Sequence, residues 1–181
     1  MEIKTLVVGP LLTNCYILIA EKEAIVIDPG AGLNKILKEL EGKKLSYIIL
    51  THYHLDHSLA ALKLKEKTGA KILIHKGEKE FIKFEPDQFL EGGEEIKIGN
   101  EYLKIVHTPG HSLGSIAIFG ENFVFVGDTI FEDGVGRTDL PGGSENDLKE
   151  TLKKLKKMIK KGMKIYPGHG PSFEIDPKNQ P

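Results

Sequence analysis

The sequence predicts an α/β protein in which two mixed β-sheets pack face to face, with helices on the outer surfaces. Each half of the chain opens with apolar, strand-like runs and continues with segments of helical periodicity. The 181 residues suit one domain with a sizeable core, predicted over residues 1–181. No sustained repeat, low-complexity tract or linker divides them. Periodicity alone does not separate this arrangement from other α/β folds.

Short apolar runs rich in β-branched and aromatic residues predict the strands. In the first half they lie near residues 2–8, 15–20, 24–27, 47–50 and 71–74. In the second half, after turns at Gly92-Gly93 and Gly99-Asn100, they lie near residues 102–107, 123–126 and 163–166. A glycine-rich loop is expected over residues 127–143.

Apolar residues at helical spacing predict helices between these strands. The first covers roughly residues 33–40, and Gly42 is placed to end it. Ser144 is expected to cap the last helix, whose apolar stripe falls at positions 148, 152, 155 and 159. The other predictions are a helix with Leu59, Leu62 and Leu64 that ends near Gly69, a charged helical segment with Phe81 and Phe84 that ends before Pro86, and that last helix from about Glu145 to Lys161.

Composition limits the classes of function. The net charge is −1, which gives no electrostatic case for binding nucleic acid. Cys15 is the only cysteine, so an internal disulfide is excluded and a reducing compartment fits. No run approaches the roughly 20 apolar residues of a membrane span. Because Gly9-Pro10 and Thr13-Asn14 interrupt the apolar stretch from Leu6 to Ala20, we expect two strands there rather than a cleaved signal, and hence a cytoplasmic protein.

The strongest functional signal is the run His52-Tyr53-His54-Leu55-Asp56-His57. Three histidines and one aspartate fall within six residues, directly after the apolar run Ile48-Ile49-Leu50. Histidines also occur in surface loops without any function, but this density of donor side chains at the end of a rigid strand is typical of a metal site. The run therefore predicts metal binding.

Three further candidate ligands follow predicted strands, each next to glycine. They are His111 in T-P-G-H-S, Asp128 in V-G-D-T and His169 in Y-P-G-H-G. Glycine lets the backbone approach a site closely or adopt unusual dihedral angles. We therefore expect all of the ligand groups to emerge from strand ends onto loops.

Ordered motifs over nearly the whole chain resemble the glyoxalase II (hydroxyacylglutathione hydrolase) type of metallo-β-lactamase-fold hydrolase. The motifs are T-N-C-Y at 13–16, I-D-P-G at 27–30, T-H-Y-H-L-D-H at 51–57, T-P-G-H-S at 108–112, G-D-T-I-F at 127–131, G-R-T-D at 136–139 and G-H-G at 168–170. The resemblance implies a four-layer αββα sandwich. Larger glyoxalase II proteins carry a C-terminal helical extension that helps to hold glutathione, whereas this sequence resembles a short form without it.

The resemblance also implies a centre with two divalent metal ions. One metal would be bound by His52, His54 and His111, the second by Asp56, His57 and His169, and Asp128 would bridge the two. Zinc is the favoured metal, and iron and manganese also accept this set of nitrogen and oxygen donors. A hydroxide that bridges the metals would be the nucleophile, and Asp56 would act as the catalytic residue that orients it or accepts its proton.

Five polar residues are candidates for supporting the ligands: Asp28, Thr51, Thr129, Arg137 and Asp139. Asp28 would hold the ligand loop by a hydrogen bond, with a simple turn residue as the alternative. Thr51 and Thr129 would act in the same way. Arg137 and Asp139 would form an ion pair that shapes the loop after Asp128, and contact between Arg137 and substrate is a further alternative.

The implied reaction is hydrolysis of a small acyl-thioester such as S-lactoylglutathione. The main alternative is a persulfide dioxygenase, a relative that uses one iron at positions matching His52, His111 and Asp128. A non-enzymatic metal-binding module on the same fold is a third hypothesis. A β-lactamase is disfavoured because the commonest zinc enzymes of that kind carry a cysteine where this sequence has Asp128. The oligomeric state is not predicted.

Overall fold

The computed structural model describes residues 1–174, and residues 175–181 of the predicted domain lie outside the described part. The strands of the first half are β1 (Glu2–Val8), β2 (Thr13–Ala20), β3 (Glu23–Ile27), β4 (Lys44–Ile49), β5 (Lys71–His75) and β6 (Gln88–Leu90). Those of the second half are β7 (Glu95–Ile98), β8 (Glu101–His107), β9 (Ile116–Phe119), β10 (Phe123–Gly127), β11 (Ile130–Phe131), β12 (Gly134–Val135), β13 (Lys164–Pro167) and β14 (Phe173–Glu174). The helices are α1 (Leu33–Glu39), α2 (Leu55–Ser58), α3 (Ala61–Thr68) and α4 (Glu145–Met158), and a 3₁₀ turn covers Lys76–Glu78.

Over residues 1–174, the strands form two six-stranded sheets and one small hairpin. The first sheet has the order β1-β2-β3-β4-β5-β6, the second has the order β14-β13-β10-β9-β8-β7, and β11 pairs with β12. Strands β3 to β6 are parallel to one another, as are β10 and β13. Parallel neighbours need a crossover connection, and α1, α3 and α4 supply three of these.

A hydrophobic core between the two sheets holds them together. All eight residues of strand β2 are buried, which explains why its sequence is largely apolar. Tyr16 and Leu18 point into the core between the sheets, where the Tyr16 ring lies 4.8 Å from that of Phe125. Cys15 and Ile17 point the opposite way, into a second core outside the first sheet. The strand therefore supplies side chains to two cores by its period of two.

Helices cover the outer face of each sheet. Ile36 of α1 and Leu64 of α3 pack in the core outside the first sheet. Leu155 of α4 packs with Val124 in a third core, outside the second sheet. These three cores separate four layers, which confirms the predicted αββα sandwich. Within the described residues, no helix is long and apolar enough to cross a membrane.

The predicted helix around Phe81 and Phe84 is wrong. The chain there makes only the 3₁₀ turn and then irregular turns. Strand β6, which follows these turns, was not among the predicted strands. The backbone N–H groups of Ile72 and Asp87 bond across to the Asp87 side chain and the Ile72 carbonyl. These bonds fix the segment beside β5, where it continues the parallel sheet, and Phe84 packs onto the first sheet without helical structure.

Smaller differences concern helix ends and short strands. The expected helix with Leu59 is two helices, α2 and α3, and Leu59 lies between them. Helix α4 ends at Met158 because Ile159 adopts an extended conformation and turns its side chain into the third core. Its N-terminus is as predicted, with the Ser144 hydroxyl accepting a hydrogen bond from the Asp147 N–H at 3.2 Å. The expected loop over 127–143 contains the small β11–β12 hairpin.

Five strands end at the same edge of the sandwich. Ile27 of β3 pairs with Ile49 of β4, and Gly127 of β10 pairs with Pro167 of β13, so each pair ends level. Strand β8 runs in the same direction as β10 because both are antiparallel to β9. The loops that follow these strands therefore meet at one edge, as in other open α/β sheets.

Candidate metal centre

The loop after β4 carries four of the candidate ligands. His52 is buried, His54 directly precedes α2, and Asp56 and His57 lie within that helix. A Cβ atom on Gly30 would lie 1.4 Å from the Asp56 carbonyl oxygen, so only glycine lets the β3 loop pack this closely against α2. The short helix thus presents Asp56 and His57 at the edge where the strands end.

The other three candidate ligands come from loops of the second sheet. Asp128 follows Gly127, whose φ of 51° lies in the left-handed region that favours glycine. The Gly168 N–H donates to the Gly127 carbonyl at 2.7 Å, which ties the loops of Asp128 and His169 together. His111 lies in the loop after β8 and is buried. All seven residues named by the sequence analysis as ligands therefore lie at the same edge.

These side chains form two groups with metal-ligand spacing. In each group one donor atom per residue lies within 4.8 Å of the others; the groups are His52, His54 and His111, and Asp56, His57 and His169. Asp28 also falls within this distance of His52 and His57, but its carboxylate is fully engaged in hydrogen bonds.

Asp128 lies between the two groups. Its Oδ2 is 3.7 Å from Nε2 of His111 in the first group and 3.5 Å from Nε2 of His169 in the second. Its Oδ1 is 3.4 Å from Nε2 of His57. One carboxylate therefore faces ring nitrogens of both groups.

The donor atoms of the centre fit divalent metal ions. Within the described residues, three buried atoms of these side chains have no hydrogen-bond partner: Nε2 of His52, Nε2 of His54 and Oδ1 of Asp128. Leaving a buried polar atom unpaired costs about 1–3 kcal/mol. Imidazole nitrogen and carboxylate oxygen are the donors that zinc, iron and manganese accept in proteins.

Hydrogen bonds on the outer side of three histidines orient Nε2 toward the centre. Nδ1 of His111 donates to the carbonyl of Arg137 at 2.8 Å, and Nδ1 of His169 donates to the carbonyl of Leu11 at 3.0 Å. Nδ1 of His57 contacts the Asp28 carboxylate at 2.9 Å. A neutral histidine that donates from Nδ1 keeps its lone pair on Nε2, where a metal could bind.

Asp28 is the main support of the ligand loop. Besides His57, it accepts hydrogen bonds from the Thr51 N–H at 2.7 Å and the Thr51 hydroxyl at 2.6 Å. The Thr51 oxygen lies 3.0 Å from Nδ1 of His52, so Asp28 is connected to two candidate ligands. Its own backbone has a φ of 52°, which asparagine and aspartate tolerate better than most residues.

The other supporting candidates occupy different roles. Arg137 and Asp139 form an exposed two-bond ion pair, and the Arg137 group that reaches a candidate ligand is its backbone carbonyl. Thr129 is buried, and its hydroxyl has no partner among the described residues. Thr13 was not singled out by sequence, yet its hydroxyl donates to Asp56 Oδ2 at 2.9 Å.

Charges in the second group favour a protonated, ion-paired state without metal. Hydrogen bonds to Asp128 and Asp56 raise the pKa of His169 to about 9, against a smaller effect of burial. Burial lowers the pKa of His57, but Asp28, Asp128 and Asp56 together hold it well above its ordinary value. Burial likewise raises the pKa of Asp56, but His169 and His57 outweigh it and keep the carboxyl ionised.

The first group has the opposite character. Burial, followed by the charge of His57, lowers the pKa of His52 well below its ordinary value. Burial, followed by the charge of His111, lowers that of His54 to about 4. These two histidines are therefore neutral near pH 7, the form that binds metal.

Known proteins and a family model resemble this chain over nearly its whole length. The model of the Metallo-beta-lactamase superfamily matches residues 8–169. The probable metallo-hydrolase YqgX of Bacillus subtilis is 31% identical and aligns with 97% of this chain and 93% of its own length. The crystal structure of the BLEG-1 B3 metallo-beta-lactamase is 28% identical with a TM-score of 0.89, covering 96% of this chain and 94% of that one. The structure of TTHA1623 in a di-iron-bound form is 29% identical with a TM-score of 0.84, covering 94% of each chain.

The family model spans all seven candidate ligands, from His52 to His169. The solved structures share the two-sheet fold over nearly their whole length. The chain belongs to the metallo-beta-lactamase superfamily.

Proposed function

We propose that this protein is a hydrolase with two divalent metal ions, zinc by preference, that cleaves small acyl-thioesters such as S-lactoylglutathione. The observation that carries the proposal is the placement of Asp128 between two groups of three donors. The second group, Asp56, His57 and His169, offers the second set of donors that a centre with two ions requires. The di-iron form of TTHA1623 and the probable metallo-hydrolase YqgX support the same reading.

The proposed roles of the residues follow from their contacts. Two bound metal ions would supply an ionised water near pH 7 and polarise the substrate carbonyl. His52, His54 and His111 would hold one ion, Asp56, His57 and His169 the other, and Asp128 both. Asp56 Oδ2 is ionised and lies 3.2 Å from His169 Nε2, where it would also orient the attacking water or take its proton.

The choice of a thioester rests on the leaving group and on the resemblance to glyoxalase II. A thiolate leaves without a proton from the protein, because the pKa of an ordinary thiol is only about 8.5. The proposal therefore assigns no general acid on the leaving-group side. The G-D-T-I-F and G-R-T-D motifs form the loop that carries Asp128 and the carbonyl bonded to His111. The persulfide dioxygenase alternative shares these loops, so the motifs support the metal centre rather than the thioester.

Metal binding is expected to release protons. His57 and His169 are protonated in the metal-free protein at pH 7, and each must lose a proton to offer its lone pair. Affinity should therefore rise with pH through about 9, where His169 becomes neutral without metal, and keep rising until His57, whose pKa is also well above its ordinary value, is neutral too. Calorimetric zinc titrations in two buffers of different ionisation enthalpy should report release of about two protons from these histidines at pH 7, and up to one more from the ionised water. Binding heats that do not depend on the buffer would contradict this assignment.

Asp28→Asn is expected to weaken metal binding although Asp28 is not assigned as a ligand. Asparagine tolerates the positive φ but presents an N–H₂ group to one of the donors from Thr51 or His57. Losing such support costs about 10- to 100-fold in metal affinity. Zinc dissociation constants from competition with a chelator would measure it. An unchanged constant would mean that Asp28 is only a turn residue.

The proposal is tested by metal content and turnover of the purified protein. About two metal ions per chain, with hydrolysis of S-lactoylglutathione that disappears on chelation and returns with zinc, would support it. Two ions with cleavage of a cephalosporin but not of thioesters would replace the substrate class. One iron per chain, no hydrolysis and oxygen uptake with a glutathione persulfide would instead establish the dioxygenase. Bound metal without any turnover would favour the non-enzymatic module.

A further inference from the structure

A buried glutamate outside the proposed ligand set contacts the loop of His111. Glu78 ends the 3₁₀ turn after β5, and it is fully buried. Its Oε1 accepts hydrogen bonds from the Ser112 hydroxyl at 2.5 Å and from the Gly114 N–H at 2.7 Å. Glu78 belongs to the first sheet's side of the molecule and the His111 loop to the second, so these bonds cross between the two halves.

Ser112 relays this contact to the residue beside it, His111. The Ser112 hydroxyl also lies 2.7 Å from that of Ser115, which accepts a hydrogen bond from the Ser112 N–H at 3.1 Å. The Ser112 carbonyl accepts from the Gly110 N–H at 3.1 Å. The backbone on both sides of His111 is thus held by bonds that converge on Ser112.

Close packing makes the contact sensitive to small changes. A Cβ atom on Gly77 would lie 2.9 Å from the Cα atom of Gly114. One on Gly114 would lie 2.7 Å from the Cγ atom of Glu78. The turn and the loop therefore touch backbone to backbone, and removal of the Glu78 side chain would leave a cavity directly beneath the loop.

Burying the Glu78 carboxyl group at this position costs free energy of folding. Burial raises the pKa of Glu78 to about 7, although Ser112 and Gly114 oppose the effect. Within the described residues, its Oε2 has no hydrogen-bond partner. An apolar side chain would avoid this cost but would leave the Gly114 N–H and the Ser112 hydroxyl without their acceptor. What the glutamate provides is the acceptor for the loop.

We propose that Glu78 is a positioning residue that fixes the loop over 108–115 so that His111 faces His52 and His54. The proposal rests on the proposed function, since it assumes that His111 binds metal. A positioning role predicts a specific loss of metal affinity beyond any loss of stability. His111 itself contacts His54, with Nε2 and Nδ1 3.0 Å apart, so a shift of its loop would open the first group of donors.

The test is a Co²⁺ titration, followed by visible absorption and chelator competition, on Glu78→Ala and Glu78→Gln. We expect the dissociation constant of one of the two Co²⁺ equivalents to rise about tenfold in Glu78→Ala. Glu78→Gln keeps an oxygen acceptor for Ser112 and Gly114 and should stay close to the parent protein. Leu40→Ala, in the core outside the first sheet, is the control for lost stability without a lost loop contact, since α4 itself packs against the His111 loop.

The outcomes separate the two proposals. A parent protein that binds no metal would overturn the proposed function itself. If the parent binds two ions, then unchanged affinity in Glu78→Ala, an equal loss in Leu40→Ala, or an equal loss in Glu78→Gln would each overturn the positioning role. Should Glu78→Ala fail to fold, Ser112→Ala removes one of the same bonds from the loop side, and it should lower affinity for one equivalent. Unchanged affinity there would overturn the proposal.

Discussion

Asp128→Asn is expected to lose most of the bound metal and roughly 10³-fold or more of the hydrolytic rate, because metal-ion catalysis is worth several kcal/mol. Asparagine keeps the size of the side chain but replaces one oxygen with an N–H₂ group that cannot bind a metal. It also removes the negative charge that faces His57, His111 and His169. One substitution therefore weakens both proposed metal positions.

The experiment combines metal analysis with steady-state kinetics on S-lactoylglutathione. Asp133→Asn is the matched control, since Asp133 is exposed on the turn between β11 and β12 and should leave metal content and rate unchanged. Loss of a single ion with the other retained would restrict Asp128 to one metal position. Full metal content and full rate in Asp128→Asn would contradict the bridging role.

The layered fold was predictable because burial on both faces of a sheet leaves a mark in the sequence. Strand β2 is apolar at successive positions, since Tyr16 and Ile17 serve different cores. The four layers were implied only by the family resemblance, because periodicity does not indicate which apolar face of a sheet packs against which neighbouring element. The predicted helix around Phe81 was wrong for a related reason. Aromatic residues in a charged segment fit a helix by spacing, whereas Phe81 stacks on Tyr53 at 4.8 Å from an irregular turn.

The candidate ligands were predictable because they carry distinctive side chains after strands. Their supports were harder to foresee, since several act through the backbone. The carbonyls of Leu11 and Arg137 orient His169 and His111, and any residue type could supply them. Glu78 has no motif of its own, because its role depends on a contact with Ser112 across 34 positions of sequence. Only the packed structure brings such groups together.

Gly168→Ala is expected to damage the centre through a single methyl group. A Cβ atom at this position would lie 2.0 Å from Oδ1 of Asp128 and 2.7 Å from Cε1 of His57. The backbone cannot retreat easily, because the Gly168 N–H donates to Gly127 and its carbonyl accepts from the Asn14 N–H, both at 2.7 Å. The conflict must therefore be relieved by displacing the two side chains.

The expected loss is about 10²-fold in rate, the usual effect of misplacing a reacting group by about 1 Å. Metal affinity should fall with it, since Asp128 and His57 both move. Overpacking would also cost about 1–3 kcal/mol in the free energy of unfolding. Metal analysis, kinetics and urea unfolding of the same variant measure the three effects.

Gly134→Ala is the matched control for Gly168→Ala. Neither glycine has a φ in the left-handed region, and a Cβ atom on Gly134 would meet nothing within 4 Å. Backbone conformation is therefore not what distinguishes the two substitutions. A Gly168→Ala protein with full metal content and full rate would mean that Asp128 can move without consequence. That result would count against the strict placement of its carboxylate between the two groups of donors, on which the dinuclear assignment depends.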